Sequence, residues 1–148
     1  MSGEEFAALR ERAQTGYAAA KVEAGEWAEA DALRLAREQT DALLSQGVDT
    51  PGMLLLSFED ERGEVVGSVW VALESPNGPG AWIYDIEVSE AARGKGYGRL
   101  MLAAVERAVR ERGVTELGLN VFAGNAVARG LYESSGYKAT SVHMRKQL

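Results

Sequence analysis

The chain has 148 residues, 46% hydrophobic and 26% charged, with no cysteine and a single histidine. That length suits one compact domain spanning 1–148, able to bury roughly two-thirds of its unfolded surface. Without cysteine there is no disulfide, thiol nucleophile or zinc–thiolate site, His143 alone builds no histidine metal site, and a net charge of −6 speaks against nucleic acid as a partner.

The start, Met1-Ser2-Gly3-Glu4-Glu5, is acidic and lacks the apolar stretch of a signal peptide. No apolar run in the chain is long enough to span a bilayer, so the expectation is a cytoplasmic protein with no membrane partner. Phe6, Leu9, Ala13 and Tyr17 keep a helical period, and Gly16 weakens the far end of that helix. After Gly25, the residues Trp27, Ala30, Leu33, Ala36, Thr40, Leu43 and Leu44 trace a second helical stripe that stops at Gly47. Thr50-Pro51-Gly52 is a turn, and beyond it the period changes. Met53 to Phe58 and Val65 to Leu73 read as strands, joined across Glu59 to Glu64 as a hairpin. Glu74 to Gly80 is dense in turn formers, and Ala81 to Val88 is a third strand. Arg99 to Arg112 is helical, with Met101, Leu102, Val105, Ala108 and Val109 on one face and Gly113 as its stop. Leu117 to Phe122 reads as a strand, Ala126 to Ser135 as a short helix and Ala139 to Arg145 as a last strand. A hairpin followed by strand–helix–strand–helix–strand predicts an α/β fold, a mixed sheet with helices packed on it.

Two segments carry chemistry. Arg93-Gly94-Lys95-Gly96-Tyr97-Gly98 lies between a strand and a helix. Glycines there allow positive φ and turn successive N–H groups into one concavity, to which the helix adds its free N-terminal N–H groups. Together with Arg93, Lys95 and Arg99 this makes a receptor for phosphate or pyrophosphate, although it has neither the Walker ending nor the dinucleotide G-x-G-x-x-G register. A glycine-rich turn with solvated charges is the plainer alternative. The charge distribution points the same way: residues 1–47 carry nine acidic and five basic side chains, residues 48–92 nine and one, and residues 93–148 four and ten. An acidic front with a basic final third suits an anionic ligand held by the C-terminal part. The second segment, Asn125 to Tyr137, has the form N-x-x-A-x-x-L-Y-x-x-x-G-Y. Asn125 suits an N-cap and Gly136 the left-handed residue that ends a helix, and the same pattern also serves simply to pack Leu131 and Tyr132 into a core.

With these two segments in this order, the chain resembles the GNAT superfamily of acyl-CoA-dependent N-acyltransferases. The signature R-x-x-G-x-G stands at Arg93, Gly96 and Gly98, after the apolar strand ending Ile86-Glu87-Val88, and the second signature at Asn125, Ala128, Leu131, Tyr132, Gly136 and Tyr137. The resemblance implies a central, mostly antiparallel sheet with a splayed parallel pair and flanking helices. The family's usual first strand is missing, because Met1 falls almost at the first helix; this leaves a sheet edge exposed or paired with a second subunit as a homodimer. It further implies acetyl-CoA as donor, with its pantetheine arm along Ile86, Glu87 and Val88. Its pyrophosphate would lie on Arg93, Gly94, Lys95, Gly96, Tyr97, Gly98 and Arg99, with Asn125 touching the cofactor and Tyr132 reaching the thioester sulfur. The implied reaction is acetyl transfer in a ternary complex to a small-molecule or peptide amine, an amide near Val88 stabilising the oxyanion and Tyr132 returning a proton to the thiolate. Glu87 is the expected base, with Asp85 as fallback, and a structural salt bridge is the alternative role for both. The acidity of residues 1–92 favours a cationic amine. A regulatory domain of the same fold that binds acyl-CoA without turnover is the second functional reading, and a generic nucleotide-binding module the third.

Overall fold

The computed structural model describes residues 1–148. Helix α1 (Gly3–Glu23) begins at a capping box in which Ser2 and Glu5 bond each other's backbone N–H, and it runs straight through Gly16. Helix α2 (Glu29–Leu43) lies against it. Strands β1 (Met53–Glu59), β2 (Val65–Ala72), β3 (Ala81–Val88) and β4 (Leu117–Leu119) form one sheet in the order β1-β2-β3-β4. The first two pairings are antiparallel and β3 runs parallel to β4. Helix α3 (Tyr97–Arg110) makes the β3-to-β4 crossover, and α4 (Ala126–Ser134) follows β4. The hairpin link is closed by Asp60, whose Oδ1 accepts from the N–H groups of Arg62 and Glu64 at 2.9 and 3.0 Å.

Alternation along the strands divides the core between the two sheet faces. On one, Val69, Val71, Ala81 and Ile83 pack with Leu102, Val105 and Val109 of α3. On the other, Leu55 and Trp70 meet Leu9 and Leu44, with Tyr84 stacked on Trp70 at 4.5 Å between ring centroids. The helices α1 and α2 approach through alanines, with Ala18, Ala32 and Ala36 buried together. This corrects the expected stripe on α2: Ala30 and Leu33 face solvent and Ala32 faces inward, because the close approach to α1 accepts methyl groups and leaves the bulkier Leu33 at the margin.

Two strand expectations also change. The parallel ladder stops at Leu119, and the expected last strand, Ala139 to Arg145, forms no ladder. A period-2 pattern becomes a strand only where a neighbour offers backbone partners, and the chain after Leu119 turns toward α4 instead of extending an edge. Val142 and Met144 stay exposed, and Arg145 ties the tail to the end of α1 by donating to the carbonyls of Ala24 and Gly25 at 3.1 and 2.9 Å. No helix is long and apolar enough to cross a membrane.

Candidate active site

The site begins where the sheet comes apart. Strand β3 pairs with β4 only over Ala81–Ile83, then continues to Val88 with no neighbour on that side. A bulge interrupts its other ladder: Val71 pairs with Ile83 but Trp70 with Asp85, leaving Tyr84 extra. The core-facing set therefore moves from Ala81 and Ile83 to Ile86, and Asp85 and Glu87 are turned toward α1. Beyond the bulge the ladder is regular, and the N–H of Ser89 donates to the Val66 carbonyl at 2.8 Å. Antiparallel strands present their backbone groups alternately to each side, so those of Ile86 and Val88 point away from β2, into the gap.

Next along the chain is the glycine loop. Gly94 and Gly96 have φ of +75° and +83°, which glycine adopts at little cost. Gly96 also precedes α3 as its N-cap, with no side chain serving as the cap. None of the six amides from Gly94 to Arg99 has a hydrogen-bond acceptor within the chain. A Cβ placed on Gly94 or Gly96 would meet no atom within 4 Å, so the concavity is open. Gly98 has a different reason to be small: its Cβ would lie 3.2 Å from Leu131, the contact that brings α4 onto the start of α3. The arginines of the loop are used within the protein. Arg99 donates to Ser134 Oγ at 2.9 Å, and Arg93 donates to the Val88 carbonyl at 3.2 Å and to Glu87 Oε1 at 3.0 Å.

The splay between β3 and β4 is a cleft of about 150 Å³ lined by Ile83, Tyr84, Asp85, Ile86, Leu119, Asn120 and Tyr132. It opens through the sheet: Ile83, Ile86, Leu119 and Tyr132 belong to the α3 side, Tyr84 and Asp85 to the α1 side. Tyr132 packs its ring on the core and against Tyr137, while its hydroxyl makes no hydrogen bond within the chain. Burial, and secondarily the Asp85 carboxylate, push that phenol above its usual range. Asp85 is also pushed up by burial, and the Arg12 guanidinium opposes the shift without cancelling it. Arg12 Nη2 lies 2.8 Å from Asp85 Oδ2 and also donates to Ser68 Oγ at 2.8 Å, while its Nε pairs with Glu87 Oε2. Both oxygens of Glu87 are thus engaged by arginines, whereas Asp85 keeps Oδ1 without a partner in the chain.

A strand splayed from its parallel neighbour, a free-amide loop at the next helix and a tyrosine at the gap are the features that the two sequence signatures imply. The sequence profile of the acetyltransferase (GNAT) family matches residues 9–137. The chain belongs to this family. It is 40% identical to the uncharacterized N-acetyltransferase YycN of Bacillus subtilis, over all of this chain and 96% of that protein. The crystal structure of YycN superposes on this acetyltransferase with a TM-score of 0.91 at 39% identity, covering 100% of this chain and 95% of the other. A mycothiol acetyltransferase from Beutenbergia cavernae is 37% identical over 63% of this chain but 31% of its own length.

In this GNAT chain, Ile86 and Tyr132 line the cleft, and β3 runs on from it through Val88 toward the amides of Gly94 to Arg99. Asn125 serves as the expected N-cap, its Oδ1 accepting from the Ala128 N–H at 3.2 Å, and Gly136 is left-handed as expected. Glu87 lies on the α1 side of β3, held between Arg12 and Arg93. Sequence reasoning missed Arg12. On α1 it looks like its neighbour Arg10; the one available signal is on β3, where two carboxylates two residues apart on a half-buried strand require a counter-cation. No group of three His, Cys, Asp or Glu residues is placed to hold a metal ion.

Proposed function

We propose that this protein is an N-acetyltransferase that transfers the acetyl group of acetyl-CoA directly to an amine. The observation that carries this reading is the cleft in the sheet, lined by Asp85 and Tyr132, from which β3 runs directly to the row of free amides. Acetyl-CoA supplies the activated acyl group as a thioester. The residues present fit it. The amides of Gly94 to Arg99, with the exposed Lys95 and the positive end of α3, would hold the pyrophosphate, and the outward backbone groups of Ile86 with the Val88 N–H would hold the pantetheine arm as an added strand.

The chain's own groups then divide the proton work. A carboxylate accepts a proton from the incoming ammonium, and Asp85 is better placed for this than Glu87, because Asp85 lines the cleft and keeps one oxygen unpaired while both Glu87 oxygens are paired with arginines. Burial keeps the Tyr132 phenol protonated at neutral pH, so it can donate to a leaving thiolate. An outward amide near Val88 supplies a donor for developing negative charge. The acceptor enters from the α1 side, and the excess of acidic side chains in residues 1–92 favours a cationic amine.

The test combines titration calorimetry with acetyl-CoA and a thiol-release assay across an amine panel, with products read by mass spectrometry. Binding of acetyl-CoA and amine-dependent release of thiol with an acetylated product support the proposal. Tight binding without turnover on any amine would replace it with a regulatory acyl-CoA-binding role.

A further inference from the structure

We propose that Arg12 is a positioning residue for the reaction: from α1 it holds the Asp85 carboxylate at the cleft by one oxygen and leaves the other free to take the acceptor's proton. This rests on the assignment of Asp85 as the proton acceptor. The geometry carries it. A single guanidinium, about a third exposed, reaches Ser68 on β2 and both Asp85 and Glu87 on β3. A planar fork with several fixed donors can meet three acceptors at once, which a lysine ammonium on a flexible stem does less well. Arg12 Nη2 takes Asp85 Oδ2 only, so the guanidinium orients the carboxylate without occupying it.

Charge gives the arrangement a second function. Asp85 is faced by Arg12 from α1, by Ser68 from β2, by Tyr84 and Glu87 from its own strand, by Asn120 beyond β4 and by Tyr132 from α4. Arg12 is the one cation in that set. Glu87 opposes ionisation of Asp85, as burial does, and Arg93 is bonded to Glu87 and the Val88 carbonyl rather than to Asp85. Removing the Arg12 charge therefore leaves two carboxylates on one strand face, and Asp85 retains its proton to higher pH.

The experiment compares Arg12→Gln, which removes the charge, with Arg12→Lys, which keeps the charge and loses the fork. Three quantities are read: the titration midpoint of the Asp85 carboxyl carbon by NMR in the free protein, the acid limb of kcat/KM against pH, and acetyl-CoA affinity by calorimetry. In Arg12→Gln the midpoint and the acid limb should both move up by about one pH unit or more, with acetyl-CoA affinity unchanged. In Arg12→Lys both should move less, while kcat falls because the carboxylate is no longer held by a fork. A folded Arg12→Gln with midpoint and limb unmoved overturns the role of Arg12. If that variant does not fold, Arg12→Lys with parental kcat and midpoint overturns it equally. A midpoint that moves while the acid limb stays overturns the assignment of Asp85 itself, an outcome that Asp85→Asn with parental turnover would confirm.

Discussion

On the α3 side of the cleft the polar groups without a partner in the chain are backbone amides and one phenol, from residues 86–99 and 132. On the α1 side are the charged side chains of Arg12 on α1 and of Asp85 and Glu87 on β3, together with the Ser68 hydroxyl of β2. Apart from the Tyr132 phenol, the first set is main chain: glycine dihedrals and the start of α3 aim the N–H groups without using a side chain. The second set is a network in which each member is positioned by the others, so its chemistry is tuned by charge. The amide row offers fixed donors to a negatively charged group, whereas the charged network responds to a change in any one of its members.

The sharpest test of this division is Tyr132→Phe, which keeps the ring and removes only the proton. Turnover should fall by about 10²–10⁴-fold if donation by the phenol limits the rate, with melting temperature and acetyl-CoA affinity nearly parental. A folded variant with parental turnover would mean that Tyr132 is a packing residue only. Next in size is Gly96→Val, measured by calorimetry. A branched side chain at φ +83° strains the N-cap and enters open space above the amides. Losing one charge-assisted bond of about 1.5–3 kcal/mol weakens acetyl-CoA binding by roughly tenfold or more; unchanged affinity in the folded protein moves the pyrophosphate elsewhere.

Gly67→Ala acts on the strand beneath both sides. Its Cβ would lie 2.5 Å from the Glu87 carbonyl oxygen and 2.6 Å from the Met101 sulfur, so β2 and β3 must part. Overpacking of this kind costs about 1–3 kcal/mol, and denaturant unfolding should show it, with the surviving folded fraction retaining acetyl-CoA binding. The smallest effect is expected from Glu87→Gln. Removing that negative charge lets Asp85 ionise more readily, so the acid limb of the rate profile should move slightly to lower pH while acetyl-CoA affinity holds. Turnover lost chiefly at acidic pH would instead make Glu87 the base.

Elements whose cause is local were legible. Asn125 caps its helix, Gly136 ends it, Asp60 and Gly63 close the hairpin, and the free amides run from Gly94 to Arg99, one residue short of the expected start at Arg93, whose N–H bonds the Glu90 carbonyl at 3.3 Å. The expected start of α3 at Arg99 is two residues late, because the helix begins directly at the left-handed Gly96. Ala30 and Leu33 of α2 were misplaced for a different reason: the early part of its inward face is set by close packing of Ala32 and Ala36 on Ala18 of α1, which its own period cannot show. The bulge at Tyr84 is equally invisible, since a strand's pattern does not reveal where its partner slips by one residue.

The sequence by itself determined the order of elements as far as Ser134, the glycine loop and the family, because glycine dihedrals, caps and apolar periods act within a few residues of where they are written. Only the tertiary structure decided that the sheet opens after Ile83, that Asp85 lines the opening and pairs one oxygen with Arg12, and that Glu87 is bound by two arginines. Arg12 and Asp85 are 73 residues apart in the chain. Their pairing depends on the packing of α1 across the sheet and on the bulge that turns Asp85 toward it, and neither leaves a mark in the sequence around either residue.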